Sequence, residues 1–154
     1  MSLYNHALYQ VATKALLFKD DHILVLITPD GYIDFPGGRV DQSECDLPWT
    51  ESLRREVAEE LGKQVSIEVG RMLFVSKRQY HKDKKTYDIA AIFFKCKYVS
   101  GDIELSEEHI DHKWFTPKDI INNSLKFVSE DEKSQLVTLF ARTSQQSLDL
   151  KGRP

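Results

Sequence analysis

The apolar positions of this chain fall in short dense runs separated by turn-forming residues. "YQVATKALLF", Tyr9 to Phe18, is rich in β-favouring residues and predicts a strand, and the charged "KDD" behind it suits a turn. "HILVLIT" predicts the next strand. It is stopped by "PDG" at Pro29–Gly31, where proline presets φ and glycine supplies a positive φ, so this region should form a β-meander. "PGG" at Pro36–Gly38 is expected to break regular structure, and the polar, acidic stretch to Leu47 reads as a loop. "QVSIEVGRMLFVS" and "TYDIAAIFFKCKYV" read as two longer strands of one hairpin, separated by the basic stretch Lys77–Lys85. A turn at Ser100 and Gly101, an acidic loop and a short strand at Lys113–Thr116 follow.

Three segments carry helical signals instead. A helix of about fourteen residues should begin near Pro48, with Asp46 as N-cap, Pro48 in the first turn and Gly62 as the stop. "PKDIINNSL" reads as a short helix. In "SEDEKSQLVTLFAR", Ser129 is placed as N-cap, acids fill the first turn, and Leu136, Val137, Leu139 and Phe140 make an apolar face. The polar residues 143–154 are expected to fray. Mixed strands and helices of this kind predict an α/β domain in which helices cover a sheet, one domain over residues 1–154 with its core at about 8–142.

Composition narrows the function. The chain has 154 residues, 41% of them apolar, which is one ordinary domain, and its net charge of −3 disfavours general nucleic-acid binding. Cys45 and Cys96 are the only cysteines and form no zinc or disulfide pattern. No apolar run approaches the roughly 18 residues of a membrane span, and "MSLYNHALYQ" lacks the apolar core of an export signal, so a cytoplasmic location is the expectation.

The chemistry concentrates on the first helix. At 100° per residue Glu56, Glu59 and Glu60 share an arc beside the apolar face of Leu53, Val57 and Leu61. An acidic face is commonly just a solvated surface. Here, however, the like charges repel at i,i+3 and i,i+4, and Glu59 and Glu60 sit at the negative end of the helix dipole, each disfavoured by about 0.3–1 kcal/mol. Arg55 can pair with Glu51 and Glu59 and covers part of this. A hard divalent ion, Mg²⁺ or Mn²⁺, would cover the rest, and crowding should raise at least one carboxylate pKa.

"GGRVDQSE" followed by "RREVAEELG" resembles the Nudix box of the Nudix hydrolase (MutT-like) family, with Gly38, Glu44, Arg55, Glu56, Val57, Glu59, Glu60 and Gly62 at the motif positions. Two departures stand out: ten residues rather than seven separate Glu44 from Arg55, and Lys63 takes an aliphatic place. The resemblance implies a Nudix fold, an α/β/α sandwich on a mixed β-sheet. It implies Glu56, Glu59, Glu60 and the Gly38 carbonyl as metal ligands, Arg55 as the residue orienting the glutamates, and Glu44 as a brace. The implied reaction is Mg²⁺- or Mn²⁺-dependent attack of water on phosphorus in a small-molecule nucleoside diphosphate derivative. Glu60 and Glu59 rank first as base and Glu108, in the acidic loop, is a candidate from outside the box. Glu107 and Glu108 read equally as a solvated loop.

The substrate stays open. The basic residues Lys77, Arg78, His81, Lys82, Lys84 and Lys85 read first as a solvated hairpin tip, with phosphate contact as the alternative. Phe35 and Tyr32 could stack on a base or pack the core. His109 and His112 could reach a ligand but read first as surface groups of a polar loop, and a homodimer is left open. The competing functions are a nucleotide-binding or regulatory module of the same fold without catalysis, and a structural acidic domain that binds Ca²⁺ or Mg²⁺.

Overall fold

A computed structural model of the chain describes residues 5–122 and 124–151. Eight strands, β1 (Gln10–Lys19), β2 (His22–Ile27), β3 (Tyr32–Asp34), β4 (Gly37–Arg39), β5 (Ser66–Lys82), β6 (Lys85–Ser100), β7 (Asp111–Phe115) and β8 (Lys126–Phe127), form one mixed sheet in the path β5-β6-β1-β2-β3-β8. Among the described residues the α-helices are α1 (Trp49–Leu61), α2 (Pro117–Asn122) and α3 (Glu130–Lys151). β1 runs parallel to β6 from Gln10 to Phe18, while its other edge is shared by β4 at Ala12–Lys14 and β2 at Phe18–Lys19. The sheet therefore forks around β4, and β7 completes it on the far edge of β2.

Strand alternation explains the two-layer core. Ala12, Leu16, Ile23, Val25, Ala91 and Phe93 point to one face, where Ile120 of α2 and Leu136 and Phe140 of α3 cover them. Ala15, Leu17, Leu24, Leu26, Ile92 and Phe94 point to the other, under Leu53, Val57 and Leu61 of α1. A sheet buried on both faces needs apolar residues at consecutive positions, which is why these strands read as continuous apolar runs. The α/β/α sandwich on a mixed sheet is thus the observed architecture.

Several local expectations change. Gly37 and Gly38 do not break the sheet but form β4 against β1: Gly37 has φ of +131°, and a Cβ there would lie 2.0 Å from the Thr13 carbonyl oxygen. Only glycine can pack a strand that closely. Pro48, not Asp46, caps α1, its carbonyl accepting from Glu51 N at 2.9 Å, and α1 has thirteen residues. The loop before it contains a 3-10 turn at Gln42–Glu44. The basic stretch is mostly strand: β5 and β6 continue to a two-residue turn at Asp83 and Lys84, both at positive φ. β7 begins at Asp111, two residues before the expected start. α3 begins as anticipated, with Ser129 Oγ accepting from Glu132 N at 3.3 Å and donating to the Lys77 carbonyl at 2.6 Å. It then continues to Lys151 through the segment expected to fray, because extending a packed helix costs far less than nucleating one. Residues 152–154 lie outside the described residues.

Candidate active site

Arg55 organises the box. Its Nε and Nη2 donate to the two oxygens of Glu44 at 2.6 and 3.0 Å, Nη1 donates to Glu56 at 3.0 Å and Glu59 at 3.1 Å, and Nη2 also reaches the Arg39 carbonyl at 3.2 Å. Glu44 accepts Asp41 N as well, at 3.0 Å, and is buried. The hydrogen bond from Arg55, then that from Asp41, hold its carboxyl down to about 2. The ten-residue spacing between Glu44 and Arg55 therefore leaves their pairing intact. The extra length is taken up by the turn at Cys45–Leu47 and the start of α1, and Cys45 and Trp49 line a cavity of about 600 Å³ with Tyr9, Arg39 and Asp41.

The three helix carboxylates occupy different environments. Glu59 is largely exposed and leans on Arg55. Glu56 is mostly enclosed beside Gly38, where a Cβ would come 2.4 Å from its Cδ, and burial pushes its pKa up against the pull of Arg55. Glu60 is 4% exposed and accepts Gly37 N at 2.8 Å. Burial pushes its carboxyl up to about 8, outweighing the Lys14 charge and the Gly37 hydrogen bond, with Asp34 and Glu56 adding to the rise. Such a group is poised to exchange a proton near neutrality.

The loop between β6 and β7 returns to this helix end. Its backbone donates from Glu104 N to the Leu61 carbonyl at 2.9 Å and from Ser106 N to the Glu60 carbonyl at 3.1 Å. It brings exposed Glu108 and buried His109 to Glu60, so that one donor atom of each lies within 4.8 Å of the others. Among the described residues this is the one such triple of metal-ligating side chains; Glu56, Glu59 and Glu60 do not form one, since Arg55 engages the first two while Gly37 turns the third beneath β4. His109, read from sequence as a surface group, is 7% exposed, and burial lowers its pKa. His112 lies on β7, in register with Leu26.

A second buried constellation escaped sequence reading. Lys14 Nζ donates to Asp34 at 3.1 Å and to the carbonyls of Phe35 and Gly37 at 3.1 and 2.7 Å. Arg78 Nη2 meets Asp34 at 2.9 Å, and its Nε meets Glu132 of α3 at 2.7 Å. Burial alone would raise the Asp34 pKa, but the Arg78 and Lys14 charges overcome it and hold the carboxyl well below the carboxylate range. The array fixes the carbonyl side of Gly37, whose N–H anchors Glu60. A lysine inside the apolar run "VATKALLF" was the available signal. Of the basic stretch, Arg78 is a buried ion-pair partner and the others are exposed. Phe35 is fully buried against Phe93 and packs the core, whereas Tyr32 is partly exposed.

Because β4 abuts β1 through bare backbone, Gly37→Ala is expected to destabilise the fold by more than about 1–3 kcal/mol, the usual cost of one strained residue. Chemical denaturation checks this; an unchanged midpoint would show that β4 can move away from Thr13.

The family model described as NUDIX domain matches residues 8–137. The nucleoside triphosphatase NudI of Escherichia coli O81 (strain ED1a) is 30% identical over 95 residues, covering 58% of this chain and 61% of the relative. The chain thus spans about three fifths of the length of the curated relatives it matches. Among solved structures, the MutT protein of Methanosarcina mazei Go1 superposes with a TM-score of 0.70 at 23% identity, over 88% of this chain and 95% of that one. An ADP-ribose pyrophosphatase of Streptococcus suis 89-1591 gives 0.64 at 19% identity, over 87% and 91%. The chain belongs to the Nudix hydrolase (MutT-like) family, as the box resemblance implied.

Proposed function

We propose that this chain hydrolyses a nucleoside diphosphate bearing a further group, with water attacking phosphorus and a phosphoric anhydride bond breaking. The observation that carries this reading is Glu60, a buried carboxyl anchored on Gly37 N with its pKa pushed up to about 8, amid the other box carboxylates. Glu56, Glu59, Glu60 and the Gly38 carbonyl would hold Mg²⁺ or Mn²⁺. The fit is supported by the hard oxygen chemistry of these donors and by the close approach of Gly38 to Glu56, where no Cβ intervenes; the three carboxylates do not converge in this structure, Glu56 and Glu59 being held by Arg55 and Glu60 by Gly37 N. When bound, such an ion draws charge from the diphosphate oxygens and makes the attacking water more acidic.

The side chains do the rest. Glu60, with Glu59 next in rank and Glu108 beyond the box, accepts the proton of the water as the new oxygen–phosphorus bond forms. Arg55 orients Glu56 and Glu59 through Nη1 and is itself held by Glu44. The nucleoside is assigned to a cavity of about 930 Å³ bordered by Tyr32, Asp34, Arg78, Tyr80 and Val128. Tyr32 and Tyr80 are each about two-fifths exposed there, which suits stacking on a base.

A nucleoside triphosphate is a nucleoside diphosphate carrying one more phosphate, and the similarity to a nucleoside triphosphatase puts that class first for testing. Incubation with nucleoside triphosphates, nucleoside diphosphate sugars and dinucleoside polyphosphates, with Mg²⁺ or Mn²⁺ and chromatographic separation, should show a nucleoside monophosphate released from at least one class. Cation-dependent binding of these compounds without turnover would replace hydrolysis with the binding-module reading.

A further inference from the structure

We propose that His109 supplies an imidazole nitrogen to a cation site shared with Glu60 and Glu108, giving this chain a mixed nitrogen and oxygen donor set beyond the carboxylates of the box. Its basis is geometric: one donor atom from each of the three side chains lies within 4.8 Å of the other two. Donors on a single ion at about 2.0–2.2 Å can be no more than about 4.4 Å apart. Three donors sharing one ion lie about 3–4 Å from one another, so a closure of about 1–2 Å at most brings them onto it, and the exposed Glu108 side chain can move that far while Glu60 stays on Gly37 N.

A second, independent observation points to a ligand. His109 is 7% exposed, yet its Nδ1 is buried without a hydrogen-bond partner. Buried polar atoms are nearly always satisfied, and an unpartnered nitrogen on an imidazole that reaches two carboxylates is accounted for by a bound ion or an ordered water. The loop presenting the ring is also built in place: Ser106 N donates to the Glu60 carbonyl, and Ile110 N donates to Ile27 at 2.9 Å. Lys14, the neighbouring cation, is already committed to Asp34 and two carbonyls.

An imidazole donor has a chemical consequence. Mg²⁺ favours oxygen ligands throughout, whereas Mn²⁺, Co²⁺ and Zn²⁺ accept nitrogen in rising order of preference. The site should thus favour Mn²⁺ over Mg²⁺ more strongly than an all-carboxylate site. This assignment concerns cation binding alone and stands whether or not the chain cleaves a diphosphate.

The test uses Mn²⁺ alone with the full chain, titrated from substoichiometric to saturating and read by pulsed electron paramagnetic resonance. Wild type should show nitrogen modulation of the Mn²⁺ signal that changes to the ¹⁵N pattern when the histidines are ¹⁵N-labelled, an observation that needs no substitution. His109→Asn should remove the modulation and weaken Mn²⁺ binding about tenfold or more, since even outer-shell partners of a metal site cost about 10–100-fold. His112→Asn should retain it. Absence of nitrogen modulation in wild type at saturating Mn²⁺, as an ordered water at Nδ1 would give, or its persistence in His109→Asn, overturns the proposal.

Discussion

Glu60→Gln is expected to lower kcat by about 10²–10⁴-fold, the usual contribution of a positioned general base, while the protein remains folded. Glutamine keeps the shape and can still accept the Gly37 N–H, so the loss would report on the charge and proton affinity of the carboxyl. Equal rates in the two proteins would remove Glu60 from the chemistry and pass the role to Glu59 or Glu108. Stability should move the other way. With its folded pKa at about 8 and its ordinary value at 4.5, the carboxyl binds a proton more tightly in the folded protein than in the unfolded chain. Glu60 is therefore neutral to stability below pH 4.5, becomes progressively destabilising as pH rises to about 8, and exerts its full penalty above that. With divalent ions chelated, Glu60→Gln should be more stable than wild type at pH 9 by roughly 3–5 kcal/mol, and by little at pH 4.5. Thermal unfolding at the two pH values decides this; a constant difference would show that folding leaves the Glu60 pKa at its ordinary value.

The second large effect belongs to the buried charge array. Arg78→Met should destabilise the protein by about 3–5 kcal/mol, because Asp34 loses one of its two cationic partners and Glu132, fully buried, loses its only ion pair among the described residues. For a chain of this size that is a fall of roughly 10 °C in Tm. Adding Glu132→Leu should restore part of the loss, since an apolar replacement removes the stranded carboxylate. A single variant within about 1 kcal/mol of wild type would mean that Asp34 and Glu132 are solvated or protonated at little cost.

The readability of the site differs residue by residue. Glu56, Glu59 and Glu60 were legible because helical spacing and the box pattern are local, and so was the conflict of their charges with the helix dipole. The same arithmetic could not say that Arg55 would turn Glu56 and Glu59 toward itself while Glu60 turned under β4. Arg78 looked like one more charge in a solvated tip, yet its position on β5 faces α3, and the others in the stretch do not share its burial. His109 sits in a polar loop whose composition predicts exposure, but hydrogen bonds to the end of α1 fold that loop inward. The C-terminal segment follows a related logic: polar residues 143–151 form little helix alone, but here they extend one already docked by Leu136 and Phe140.

The amino-acid sequence by itself determined the local elements, the two-faced apolar strands and the identity of the box residues, because backbone preferences, capping and helical periodicity act over a few neighbours. Only the tertiary structure decided which charges are buried, which carboxylate holds its proton, and that Glu108 and His109 join Glu60. Those properties depend on desolvation and on distances between residues far apart in the chain, and both are set when the sheet forks around β4 and the two helical layers close over it.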